Sequence, residues 1–157
     1  MKYLLATSCI VEENVTIGNN TKVWYFSHVM QGARIGENCT IGENCFIGNN
    51  VLIGDNCKIG NKCQLVEGVI LKNNIRLGLG VEFTNVRKPS AKKKGKYLDT
   101  IIDDDVTIES GAVIQGGVKI GKGTIVGAGA VVIENLPAGV FVVGNPSRII
   151  KKKNEEG

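Results

Sequence analysis

Gln31, Asn49, Glu67 and Asn85 recur at one constant interval along the chain. A carboxylate can take up a proton and a carboxamide can aim a hydrogen-bonded group. A chain that returns to the same edge at that interval would stack these side chains into a candidate catalytic column. His28, the single histidine, is the other ordinary general base. Cys9, Cys39, Cys45, Cys57 and Cys63 are the residues with nucleophilic or metal-binding potential.

The pattern that must position them is a period of six. Every sixth residue from Leu5 to Phe83 is large and apolar: Leu5, Val11, Ile17, Val23, Val29, Ile35, Ile41, Ile47, Ile53, Ile59, Leu65, Leu71, Leu77 and Phe83. Neither a helix face nor a strand alternation keeps that period, so the chain reads as a solenoid of short repeats. Four residues after each anchor stands a small or β-branched companion, and Gly often follows the anchor, as in Ile35-Gly36 and Ile41-Gly42. Each hexapeptide is one short strand plus a corner. Three hexapeptides close a triangular coil, the interval of the column above, and coils about 4.8 Å apart pair as parallel ladders.

The repeat resumes at Ile102 and runs through Ile108, Ile114, Ile120, Val126 and Val132. Ile102 falls one residue later than three hexapeptides after Phe83, so the register slips, and residues 86–101 are expected to leave the coil as an inserted loop. That segment carries Arg87, Lys88, Lys92, Lys93, Lys94 and Lys96 with a Pro and a Gly. Leu136-Pro137-Ala138-Gly139 marks a turn before an apolar strand, Val140 to Val143. The expectation is one domain over residues 1–150 and a charged tail, 151–157.

The 157 residues carry a net charge of +4, drawn largely from the loop and from Lys151, Lys152 and Lys153. A small anionic ligand and a merely solvated loop both fit this charge. A nucleic-acid groove would interleave aromatics with the basic residues, and the segment offers only Tyr97. All five cysteines occupy the companion position, with Cys39 over Cys57 and Cys45 over Cys63. They read as stacked core residues of a reducing compartment rather than metal ligands, and no metal is expected. No stretch is long enough to cross a membrane, and Leu5 and Cys9 already keep the repeat frame where a secretion signal would lie. A cytoplasmic location follows as an expectation.

Function should sit where the repeat is broken. Trp24-Tyr25-Phe26-Ser27-His28 replaces a Gly-Asn corner with bulky residues. Val66 displaces the Gly before Glu67, and Phe83-Thr84-Asn85 ends the first run at the root of the loop. The third place comprises Gly127-Ala128-Gly129-Ala130 and Val143-Gly144-Asn145-Pro146-Ser147-Arg148. Glu67 and Asn85 would stand one strand spacing apart beside the basic loop, as catalytic groups or as solvated corner residues.

The I-G-x-N-x-x repeats resemble the hexapeptide-repeat acyltransferases. K-V-W-Y-F-S-H-V at 22–29, V-E-G-V at 66–69, V-E-F-T-N-V at 81–86, V-G-A-G-A-V-V at 126–132 and V-V-G-N-P-S-R at 142–148 resemble the branch that acetylates 3-amino sugars carried on nucleotides. The resemblance implies an all-β, left-handed parallel β-helix with one inserted loop and a short C-terminal extension. It also implies a homotrimer with acetyl-CoA between subunits and a nucleotide-linked amino sugar as acceptor, in the making of surface-polysaccharide precursors. Outward apolar residues at Phe46, Leu52, Ile70, Val113, Ile125, Val131 and Ile133 independently point to assembly.

Carried onto this chain, the resemblance assigns Asn85 to hold the amine and aim it at the thioester. Glu67 would accept the proton directly or through water, or orient Asn85, and the departing sulfur is a further proton acceptor. Gly127, Ala128 and Gly129 would let the cofactor arm approach the backbone, although tight coil corners explain these glycines equally. Pro146 and Arg148 would lie near the adenosine, with lysines of the loop or tail on the phosphates. Trp24, His28 and Asn49 are candidate substrate contacts, with His28 the weaker choice as a base. A single histidine cannot supply the three metal ligands of a γ-type carbonic anhydrase. Another small amine or hydroxyl acceptor, or a purely structural solenoid, are the alternatives.

Overall fold

Two-residue strands are enough here because each is held from above and below rather than by its own length. The computed structural model describes residues 2–93 and 95–152, and Lys94 of the loop and 153–157 of the tail lie outside the described residues. Face A stacks nine strands from Leu4–Leu5 to Arg148–Lys152, face B seven from Ile10–Val11 to Val131–Val132, and face C six from Thr16–Ile17 to Lys119–Ile120. Neighbours in the coil region are parallel and pair three hexapeptides apart, as Lys22 with Thr40 and His28 with Phe46. The result is a left-handed parallel β-helix, the hand opposite to ordinary parallel crossovers.

The anchors and companions fill the prism. Val23, Val29, Ile41, Ile47, Leu65, Ile108 and Ile114 are fully buried, and from Val23 to Val132 every anchor belongs to one continuous core. Asn38, Asn44, Asn50, Asn56 and Asn74 turn the corners with φ between 56° and 60°, the left-handed region that Asn tolerates better than other side-chain-bearing residues. Among the outward apolar residues, Leu52 and Ile133 are each 40% exposed and the others are half-buried.

The five thiols are free, and four of them are buried at the companion position. Each of these four donates to a corner carbonyl of the next coil: Cys39 to Gly54 at 3.1 Å, Cys45 to Gly60 at 3.1 Å, Cys57 to Lys72 at 3.2 Å and Cys63 to Gly78 at 3.1 Å. The stacked Cys39 sulfur, and after it burial, pushes the Cys57 thiol up, and Cys45 does the same to Cys63. No group of three or more potential metal-ligating side chains occurs among the described residues.

Two boundaries differ from expectation. The loop ends at residue 99, not 101, because Thr100 and Ile101 already belong to face C, paired with Val69 and Ile70. Glu82 pairs with Val113, where three hexapeptides would have reached only Thr100. This coil is therefore longer than the others by two hexapeptides and one residue, and all three faces resume in register beyond it. At the other end, Lys151 and Lys152 continue an antiparallel strand against Phe141 and Val140 rather than opening the tail. Charge does not exclude these lysines, since that strand is exposed along its length.

Ile41 is wholly enclosed in mid-stack, so Ile41→Ala should lower the unfolding free energy by about 2–5 kcal/mol. Chemical denaturation followed by far-ultraviolet circular dichroism measures the loss, and a change under about 1 kcal/mol would contradict the assigned core.

Candidate active site

The edge between faces B and C carries the predicted column. Gln31, Asn49, Glu67 and Asn85 occupy successive coils there, because the flanking strands pair at intervals of one coil. Gly116 follows above Asn85, and a Cβ on Gly116 would stand 2.7 Å from the Asn85 Cα. Only a residue without a side chain lets the coils close over Asn85 at this spacing.

Asn85 is fixed from both ends. Its Nδ2 donates to the backbone carbonyl of Glu67 at 2.8 Å, and its own carbonyl accepts the Leu98 N–H at 2.9 Å. The first bond orients the carboxamide, and its Oδ1 makes no hydrogen bond within the described residues. The second closes the neck of the inserted loop. Where the loop interrupts the ladder, Gly116 N–H donates to Thr84 Oγ1 and Gly117 N–H to Thr100 Oγ1, both at 3.0 Å. Two threonine hydroxyls thus satisfy backbone donors that the excursion would otherwise strand.

The Glu67 carboxylate does not reach Asn85. Asn50 Nδ2 donates to its Oε1 at 3.4 Å, and the carboxylate opens into a shallow depression of about 380 Å³ shared with Leu52, Ile70, Tyr97 and Asp99. Gly68 holds φ at +102°, and a side chain there would collide with the Leu98 carbonyl as the loop returns. Below this depression a second one, about 390 Å³, is lined by Asn14, Gln31, Gly32, Asn49 and Asn50. Asn50, Tyr97 and Asp99 had no distinguishing sequence signal: Asn50 looks like every other corner asparagine, and the loop residues acquire a position only through the return at Gly68.

The remaining candidates divide between two edges. Pro146 and Arg148 line a depression of about 430 Å³ with Ile133, Glu134 and Asn135, at the upper end of the same B–C edge. Ser147 N–H donates to the Val131 carbonyl at 2.9 Å and ties that segment down. Gly127, Ala128 and Gly129 stand instead on the edge between faces A and B, as does Trp24 several coils below. A side chain on Gly127 would approach Val143 Cγ1 at 2.8 Å, so this glycine is required for packing, whereas Gly129 faces open space with φ +70°. Within one chain, face B separates these residues from Glu67 and Asn85.

His28 lies on face B, three coils below Glu82. Its Nε2 is 2.8 Å from Glu12 Oε1, and its ring meets Phe46 edge-on at 6.2 Å. Trp24 packs at 6.2 Å from Tyr25, and Phe26 takes a left-handed φ of 63° with 62% exposure. The structure therefore brings Asn49, Glu67 and Asn85 together and leaves His28 and Trp24 apart from them.

The chain belongs to the bacterial hexapeptide-repeat transferases. The bacterial transferase hexapeptide pattern matches residues 14–49 and 99–134, and the hexapeptide repeat of succinyl-transferase matches 50–82. The stretch left unmatched between them, 83–98, holds all of the inserted loop but its last residue. A 2,3,4,5-tetrahydropyridine-2,6-dicarboxylate N-acetyltransferase of Clostridium perfringens is 38% identical over 82 residues, covering 52% of this chain and 33% of the relative. The matched segment thus spans about a third of that protein's length. Among solved structures, AntD, an N-acyltransferase from Bacillus cereus in complex with dTDP and coenzyme A, is 22% identical with a TM-score of 0.72, covering 98% of this chain and 84% of AntD. GDP-perosamine N-acetyl transferase from Caulobacter crescentus, in complex with CoA and GDP-perosamine, is 23% identical with a TM-score of 0.55, covering 95% and 58%. Both share the fold.

Gly68→Ala should loosen the loop's return, because it places a side chain at positive φ against the Leu98 carbonyl. Trypsin cleavage at the exposed Lys92 and Lys93 should accelerate by roughly fivefold or more, on the scale of about 1–3 kcal/mol of local strain. Unaltered cleavage would show that the loop is not held at this point.

Proposed function

We propose that the protein is an acetyl-CoA-dependent N-acetyltransferase whose acceptor is the amino group of a nucleotide-linked amino sugar, made for surface polysaccharide. The observation that carries this reading is the Asn85 carboxamide, tied through Nδ2 to the Glu67 carbonyl with Oδ1 left as a fixed acceptor at the loop neck. A neutral amine that donates one N–H to Oδ1 has its lone pair aimed away from that bond, toward a thioester carbonyl carbon. Attack forms the C–N bond and a tetrahedral oxyanion, and collapse breaks the C–S bond and releases CoA.

The amine proton leaves to the Glu67 carboxylate through water, or to the departing thiolate. Asn50, the donor to Glu67 Oε1, keeps the carboxylate on the acceptor side of the column. A sugar amine is less basic than a lysine side chain, so a substantial neutral fraction exists near pH 7 and positioning is the larger requirement.

Fold neighbours that hold CoA with dTDP or GDP-perosamine support this acceptor class. CoA would enter from the upper part of the B–C edge, past Pro146 and Arg148. Gly127–Gly129 belong to another edge, so their contribution to the same cofactor requires a neighbouring copy of the chain. A homotrimer sharing each site between two copies meets that requirement, in a cytoplasmic enzyme. No helix among the described residues is long and apolar enough to cross a membrane. The tetrahydropyridine-dicarboxylate relative favours a second reading, in which the acceptor is a small dicarboxylate amine.

Release of free CoA, followed with a thiol reagent, should be fast with a nucleotide 3-amino sugar and absent with serine or maltose. Release with the tetrahydropyridine dicarboxylate alone would select the second reading, and release with no acceptor would leave a scaffold. Asn85→Ala should reduce turnover about tenfold or more, as loss of a positioned hydrogen bond does, with the unfolding midpoint unchanged. An undiminished rate would remove Asn85 from the mechanism. Light scattering should return three times the chain mass, and a monomer that is fully active would exclude the shared site.

A further inference from the structure

Arg87 stands two residues beyond Asn85, at the start of the inserted loop, and it is built into the edge rather than waving from it. Its Nε donates to the Gly116 carbonyl at 3.2 Å. Gly116 is the residue that closes directly over Asn85, so this bond holds the guanidinium against the coil above, whose backbone stands one strand spacing, about 4.8 Å, over that of Asn85. The neighbouring Gly117 has no side chain, and a Cβ there would lie 3.6 Å from Arg87 Nε and 3.7 Å from Nη2. The guanidinium therefore lies against bare backbone, and among the described residues it donates only through Nε.

No carboxylate forms an ion pair with Arg87 among the described residues: the ion pairs there are His28 with Glu12, Lys72 with Asp103, and Lys122 with Asp105. A planar cation anchored through Nε and unpaired at its fork is suited to bidentate recognition of a carboxylate or phosphate. The exposed Lys88, Lys92, Lys93 and Lys96 make no side-chain hydrogen bond or ion pair among the described residues, so they supply charge without geometry.

We propose that Arg87 binds an oxyanion carried by the amine substrate itself, on the side of Asn85 that faces the coil above. This rests on the acceptor site described under Proposed function. The anions of CoA are excluded by reach: its phosphates are separated from the thioester by the whole pantetheine arm, which is several coil spacings long. With the thioester at Asn85, they lie far beyond Arg87. A nucleotide sugar offers two oxyanions close enough, a ring carboxylate and the diphosphate that joins sugar to nucleoside. Both present the same paired oxygens to the fork.

Arg87→Gln retains a donor toward Gly116 and removes the charge. Steady-state kinetics would compare it with the wild type on two nucleotide 3-amino sugars that differ only in carrying a carboxylate or a hydroxymethyl group at C6. The acceptor KM should rise roughly tenfold or more, the scale of a charge-assisted hydrogen bond, with kcat and the acetyl-CoA KM held within about twofold. A rise confined to the carboxylate sugar identifies the carboxylate as the anion, and an equal rise on both identifies the diphosphate. An unchanged acceptor KM, or a rise in the acetyl-CoA KM alone, overturns the proposal. Should the wild type acetylate neither sugar, the proposed activity fails by itself, and calorimetry with inorganic diphosphate decides Arg87. Binding lost in Arg87→Gln upholds an anion site, and equal heats in both proteins overturn it.

Discussion

Each coil of this prism has to meet the same three ladders as the coil before it, and everything else in the molecule is subject to that requirement. A two-residue strand has no independent stability, so its backbone groups depend on the strands one coil away on either side. An insertion is then tolerated only at a corner, and only if the chain comes back to its ladder. The loop at 86–99 does this: it leaves after Asn85, returns as Thr100 pairs with Val69, and its neck is closed by Leu98 and Asn85. The residue that closes the neck is the one proposed above to aim the substrate amine. Loop and candidate site are one device, since displacing either would alter the Asn85 backbone.

The interior corners show how the same requirement is met with polar atoms. Thr21 and Ser27 donate to the Gly36 and Gly42 carbonyls at 2.6 Å, and their oxygens accept the Cys39 and Cys45 N–H groups at 3.0 Å. Cysteines continue both columns above them with longer sulfur contacts. A hydroxyl or thiol at the companion position thus bridges successive coils from inside, and among the described residues no buried side-chain nitrogen or oxygen lacks a partner. This accounts for thiols that are numerous yet remote from the chemistry.

Charge at the B–C edge is separated along the prism axis. The carboxylates of Glu67 and Asp99 face the depression below the loop, while the Arg87 guanidinium lies above Asn85 against Gly116 and Gly117. The fixed amide stands between the acidic and basic sides. A substrate with an amine and an oxyanion on one rigid framework has a single orientation in which both ends are met. In the proposed site, specificity would come from spacing set by the coil rise.

The sequence by itself determined the coil, the inward anchors and companions, the burial of Cys39, Cys45, Cys57 and Cys63, and the stacking of Glu67 beneath Asn85. These follow from a strict period, because a side chain's face is fixed once each hexapeptide makes a side and three sides make a turn. The tertiary structure decided what a period cannot express. Ile102 marked the return of the anchors, yet Thr100 and Ile101 joined face C ahead of it, because pairing with Val69 and Ile70 recruits residues whose types are also at home in a loop. The direction of the Glu67 carboxylate toward Asn50, the placing of Gly127–Gly129 on a different edge, and the seating of Arg87 on Gly116 all depend on contacts between residues in different coils. Such contacts are set by side-chain reach and by where a non-repeating segment folds back, and neither quantity is written in a six-residue pattern.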